Sequence, residues 1–171
     1  LFVQESILTV SASVIDNNSA GDNGGGVDAT LSATVELLEG SSVSSNTAYR
    51  GGGLYVQESI LTVSASTIDR NKAGVDGGGV HAQISSAVTL GDGTSVSRNT
   101  ARGSGGGLSL VISSSLTTAG RVRIHTNSVI GGDGSGGGVA ASTSTVRLGA
   151  GNTDLSHNTA AADGGALALS E

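Results

Sequence analysis

Apolar and polar residues alternate along this chain in short bursts, and no stretch carries the spacing of an amphipathic helix. Leu54-x-Val56, Leu61-x-Val63, Val88-x-Leu90 and Val146-x-Leu148 each place an aliphatic residue at every second position. That is the period at which side chains emerge on one face of a strand. Corners rich in Gly and Ser separate the bursts, and three bursts fit between one Gly triplet and the next. The pattern predicts an all-β chain of short strands grouped in threes.

The grouping repeats. Residues 1–21 match residues 54–74 at 17 of 21 positions, an offset of 53, and residues 35–50 match 88–103 at 9 of 16 positions with the same offset. Within each 53-residue block runs a shorter period. A Gly-Gly-Gly-aliphatic signature ends at Val27, Leu54, Val80, Leu108 and Val139, and Gly164-Gly165-Ala166-Leu167 supplies a sixth, with steps of 27, 26, 28, 31 and 28 residues. A second marker, aliphatic-x-x-Asn, keeps the same phase and ends at Asn18, Asn46, Asn71, Asn99, Asn127 and Asn158.

Helical repeats of comparable length need runs of helix formers that are missing here. The unit therefore predicts one coil of a parallel β-helix, with each strand pairing to its equivalent in the next coil. The expectation is about six coils of 25–31 residues, three short strands in each. At a strand spacing of about 4.8 Å they form a rod roughly 29 Å long. Glycine corners are expected at Gly26, Gly53, Gly79, Gly107, Gly138 and Gly165, where positive φ and close approach of neighbouring coils both need a missing Cβ. The six asparagines are expected at tight bends, where Asn tolerates left-handed φ, and stacked so that their amides bond one another. The chain reads as one segment, 1–171, built of double-coil blocks 1–53 and 54–107 followed by diverged coils 108–138 and 139–171. It contains no Met, and both ends fall within the pattern. The expectation is a piece of a longer repeat chain, flanked by further coils or stacked end to end or side by side with copies of itself.

The two markers together resemble the repeats of bacterial polymorphic outer-membrane proteins, whose passenger domains carry many copies of Gly-Gly-Ala-aliphatic and Phe-x-x-Asn. Gly164-Gly165-Ala166-Leu167 fits the first motif literally; the second occurs six times with Ile, Val or Leu in place of Phe. The resemblance covers the whole chain. It implies a right-handed helix of pectin-lyase-like architecture in a secreted or surface-displayed protein.

Composition narrows the picture further. Phe2, Tyr49 and Tyr55 are the only aromatics, so the interior must be thin and aliphatic. Zero Cys excludes disulfides and thiolate metal sites. No apolar run approaches the ~18 residues that cross a bilayer. Net charge is −6 and the eight Lys and Arg are scattered singly along the sequence, which argues against a nucleic-acid partner.

Candidate chemistry is sparse. Asp16 and Asp69 share one column but lie two coils apart, about 10 Å by strand spacing, wide for a catalytic carboxylate pair. Asp22, Arg50, Asp76, Arg102, Asp133 and Asp163 are read as one column of the corner loops, alternating in sign over its first four members and so unsuited to a metal. The G-x-G-x-x-G at Gly132, Gly134 and Gly137 leads into a strand pattern, whereas a dinucleotide fingerprint leads into a helix. His81, His125 and His157 fall at different points of the repeat and are read as solvated strand or turn residues. Thr9, Thr62 and Thr89 form one outward column, interrupted by Glu36 and Arg147. Asn17 heads the single N-glycosylation sequon, Asn17-Asn18-Ser19. No catalytic residue, metal or cofactor is assigned. The expected role is a structural segment of a large extracellular or cell-surface protein, a stalk, fibre or adhesive scaffold with cell-surface glycans as partners. The alternative is part of a carbohydrate-active β-helix enzyme such as a polysaccharide lyase, hydrolase or epimerase.

Overall fold

A computed structural model describes all 171 residues, and it contains strands but no helix. Every strand pairing is parallel, and the chain winds as a solenoid of about six turns, a parallel β-helix. One turn shows the plan. Leu54–Gln57 belongs to a first face of seven strands, Ile60–Val63 to a second of six and Thr67–Asp69 to a third of six. A fourth face beyond the three expected is made of two-residue strands such as Lys72–Ala73. Equivalent residues of successive coils are direct neighbours: Ile15, Val43, Ile68, Val96, Ile124 and Leu155 stack in one inward column of the third face.

The core is one cluster of 25 buried residues, all Val, Leu, Ile or Ala. Strands of three to five residues bring only one or two side chains inward per face, so the interior is filled by aliphatic groups that interdigitate between rungs without rings. Burying a Val, Leu or Ile side chain contributes about 1.5–3 kcal/mol, and the parallel ladders supply the backbone partners that a buried strand requires.

The glycine triplets divide their work. Only the first member has positive φ: 61° at Gly51, 68° at Gly77 and 67° at Gly105. The second and third are needed for space. A Cβ on Gly52 would lie 2.5 Å from the Gly78 carbonyl oxygen, and one on Gly53 would lie 2.7 Å from that of Gly79. Gly165 stands one register position before the other five predicted corner glycines. Leu167 pairs with Val139, so Ala166 occupies the place of Gly138.

Candidate functional site

The asparagine corner is built the same way in every coil. The Oδ1 of each Asn accepts two bonds from the preceding Asn, one from its backbone N–H and one from its Nδ2. From Asn71 to Asn99 these measure 2.9 and 3.0 Å, and from Asn99 to Asn127 both are 3.0 Å. The second Nδ2 proton goes the other way, to the carbonyl of the aliphatic residue in the coil before: Asn71 to Val43, Asn99 to Ile68 and Asn127 to Val96. Each amide thus uses two donors and two acceptor sites. The ladder runs unbroken from Asn18 through Asn46 to Asn158. Asn46, Asn71, Asn99 and Asn127 are buried. The bond to the aliphatic carbonyl explains why the two halves of the marker recur together. Contrary to expectation, the Asn itself does not take the left-handed conformation. The residue before it does: Asn17, Ser45, Arg70, Arg98, Thr126 and His157 have φ between 53° and 57°. Asn17, the sequon residue, is therefore an exposed corner residue whose Nδ2 donates to Asp16.

The corner loops hold a different column from the one read in the sequence. The residues directly before each triplet are in register, because the first glycine donates to the next of them: Gly24 to Arg50, Gly51 to Asp76, Gly77 to Ser104, Gly105 to Ser135 and Gly136 to Asp163. The column is Asn23, Arg50, Asp76, Ser104, Ser135 and Asp163; Asp22, Arg102 and Asp133 stand outside it. Loops of unequal length shift these three out of phase. A second ladder follows, in which a side-chain oxygen accepts the backbone N–H of the next coil: Asp76 from Ser104, Ser104 from Ser135 and Ser135 from Asp163. Arg50 interrupts it, since a guanidinium has no acceptor. The Arg50 N–H turns to the Asp22 carbonyl and the buried Asn23 Oδ1 is left without a donor.

These loops lie over the outward column of the first face, and here His81 departs from expectation. Asp28, Tyr55, His81, Ser109, Ala140 and Ala168 are consecutive register partners. His81 is only 2% exposed, because the loop glycine Gly77 packs against its Cβ and its ring stacks on Tyr55, with centroids 5.7 Å apart. Its Nδ1 has no partner. Burial lowers the pKa of His81, opposed by the Asp76 charge. Burial, reinforced by Asp22, raises that of Asp28, whose Oδ1 is also unpartnered. Beyond His81 the column shrinks to Ser109, Ala140 and Ala168. There a cavity of about 320 Å³ opens against Asp76, Ser104, Ser135 and Asp163. The sequence does carry a sign of this column: each member directly follows the aliphatic residue that ends the Gly motif.

The third face places Asp16, Ser44, Asp69, Ser97, His125 and Ser156 in one outward column, with Ser44 between the two aspartates. Asp69 is 7% exposed and receives Arg98 Nε and Nη2, both at 2.9 Å, with Arg70 at 3.1 Å. Burial alone would raise its pKa. Hydrogen bonds from Arg98 and Ser97, with the charges of Arg98 and Arg70, outweigh that and hold the carboxyl below its ordinary value. Arg123 and Arg121 follow one coil on. Cations scattered singly in the sequence thus gather on one face, a stripe the linear order concealed.

The remaining sequence features are easily placed. The stretch holding Gly132, Gly134 and Gly137 leads into the strand Val139–Ser142. Thr9, Glu36, Thr62, Thr89, Thr117 and Arg147 form one outward column of the second face. No group of three or more His, Asp or Glu converges as a metal site, and no helix is long and apolar enough to cross a membrane. Compared with protein-family models, curated proteins and solved structures, the chain matches none.

Proposed function

We propose that this chain is a structural segment of a large extracellular or cell-surface protein, serving as a stalk, fibre or adhesive scaffold. The observation that supports this reading is the asparagine ladder, which runs through every coil while outward residues vary from coil to coil. A constant interior gives a stiff rod; a varied exterior supplies shallow faces repeated along one axis, which bind weakly many times over. Electron microscopy of the native material, with antibodies against residues 1–171 marking the segment, tests it. Labelled rods or filaments outside the cell support the reading, and label confined to the cell interior overturns it.

A second reading, part of a carbohydrate-active enzyme, draws on Asp28, Tyr55 and His81, which stand in three successive coils beneath the loops. An acid, a phenol and a neutral imidazole in one sheltered column are groups suited to proton transfer. Polysaccharide breakdown by the native protein that is abolished by His81→Phe supports this alternative; labelled material with no such activity counts against it.

A further inference from the structure

The third face carries two adjoining grooves that meet at Ser95. One, of about 340 Å³, is lined by Ser44, Ser97, Asp69, Arg70, Arg98 and His125, with no apolar residue. The other, of about 520 Å³, is lined by Arg121, Arg123, Asn152, Thr153 and Asp154, with Leu155 its one apolar residue. Together they run along the rod axis, and each coil adds a cation: Arg70, then Arg98, then Arg121 and Arg123 with His125.

The charges there are incompletely matched. Asp69 serves both Arg70 and Arg98, whose side chains remain 61% and 50% exposed. Arg121 reaches only Asp92, at 3.8 Å between two exposed side chains, an interaction worth about 0–1 kcal/mol. Arg123 has no carboxylate within salt-bridge distance, although Asp154 is its register partner. In a chain of net charge −6, this gathering leaves guanidinium donors facing solvent without anions. Asp69 also fixes the plane of one of them, since its buried carboxylate takes Arg98 in the forked geometry that suits planar recognition. Ser42, Thr67 and Ser95, register partners in successive coils, lay a row of hydroxyls beside the cations.

We infer that this face binds a linear acidic polysaccharide lying along the rod axis, its sulfate or carboxylate groups on the arginines and its hydroxyls on the Ser and Thr rows. Arg98 lies one coil, about 4.8 Å, beyond Arg70, and Arg123 stands one coil further and three strand positions across the face, opposite Ser95, so a chain that passes over both grooves meets a cation in each coil. A single-stranded nucleic acid fits less well, because the face offers no aromatic side chain on which bases stack. The inference rests on the extracellular reading for the presence of such a ligand; the geometry stands apart from it.

Binding of the whole chain to heparin, to alginate and to neutral dextran, measured by calorimetry between about 50 and 200 mM salt, tests the idea. The expected result is binding to a charged saccharide and not to dextran, weakening as salt rises. Heparin alone identifies sulfate as the recognised group, alginate alone carboxylate, and both their shared negative charge. Arg121→Gln with Arg123→Gln should lower the affinity about tenfold with an unchanged unfolding midpoint, while Arg147→Gln on the second face should leave it intact. Absence of binding to both charged saccharides, equal binding by the double variant, or tighter binding to polyglutamate or single-stranded DNA each overturns the inference. Labelled extracellular rods together with any of those results would sink it and leave the structural role standing.

Discussion

Two corners of each coil carry stacked polar side chains, and they are not equivalent. At the asparagine corner each step from coil to coil is joined by two bonds of 2.9–3.1 Å, and the same amide also bonds backward. At the corner between the first and second faces, Ser59, Ser86, Ser114 and Ser144 form a plainer series. Each hydroxyl accepts one backbone N–H from the preceding coil, at 3.1–3.4 Å, and directs its proton to a carbonyl of its own coil; at Ser86 that proton is shared with the Val56 carbonyl of the coil before. An amide donates in both axial directions while it accepts from one, and so links three coils; a hydroxyl links two. The recurrence of Asn at every coil follows from this bifunctionality. Asp would lack the donors, and its stacked negative charges would repel in a buried column.

Substitution separates the two corners. Asn99→Ala removes acceptors from the Asn71 N–H and Nδ2 and donors from the Ile68 carbonyl and Asn127 Oδ1, all buried. At about 1–3 kcal/mol for each group left unsatisfied, partly relieved by water, urea unfolding should show a loss of about 3 kcal/mol or more. Ser86→Ala, at an equally buried rung, should cost about 1 kcal/mol. Equal losses at the two sites would remove the distinction.

A smaller effect separates covered from open outward columns. A base whose folded pKa lies below its unfolded value is protonated more readily once unfolded. The contribution of His81 is therefore complete above about pH 6.5 and falls away as the pH drops toward its depressed folded value. Thermal melts should show the midpoint falling between about pH 7 and 5, and His81→Phe, which keeps a ring against Tyr55, should flatten that fall. Asp69 acts lower. Its depressed pKa gives a contribution that is complete above the ordinary carboxylate value of 3.8 and is lost as the pH falls through the folded one. The smallest effect is expected at the interrupted loop ladder. Arg50→Asn supplies an acceptor for the next coil and should stabilise by about 0.5 kcal/mol, seen as a small rise in urea midpoint.

The repeat phase, the aliphatic interior and the asparagine column were legible in the sequence because each uses one residue type at a fixed offset. The left-handed corner was not. It is filled by Asn, Ser, Arg, Thr and His in turn, since an exposed position selects on backbone geometry and leaves the side chain free. The loop column is hidden for a related reason: loops of different lengths slide charged residues past the register, and only the hydrogen bonds of the first glycine show which residues align. His81 looked solvated because its strand position is outward, and nothing in alternation tells that a loop covers that column. The arginine stripe was hidden by separation along the chain, as Arg70, Arg98 and Arg123 lie 28 and 25 residues apart.

The ring stack of Tyr55 on His81 has a practical use. The protein contains no Trp, and Tyr49 and Tyr55 are its only strong near-ultraviolet absorbers. With Tyr49 replaced by Leu, emission at phenol wavelengths would come from a single ring in the third coil, quenched or released according to the state of the imidazole beside it. The fold thus carries its own optical gauge of whether the loops are seated, readable without any attached dye.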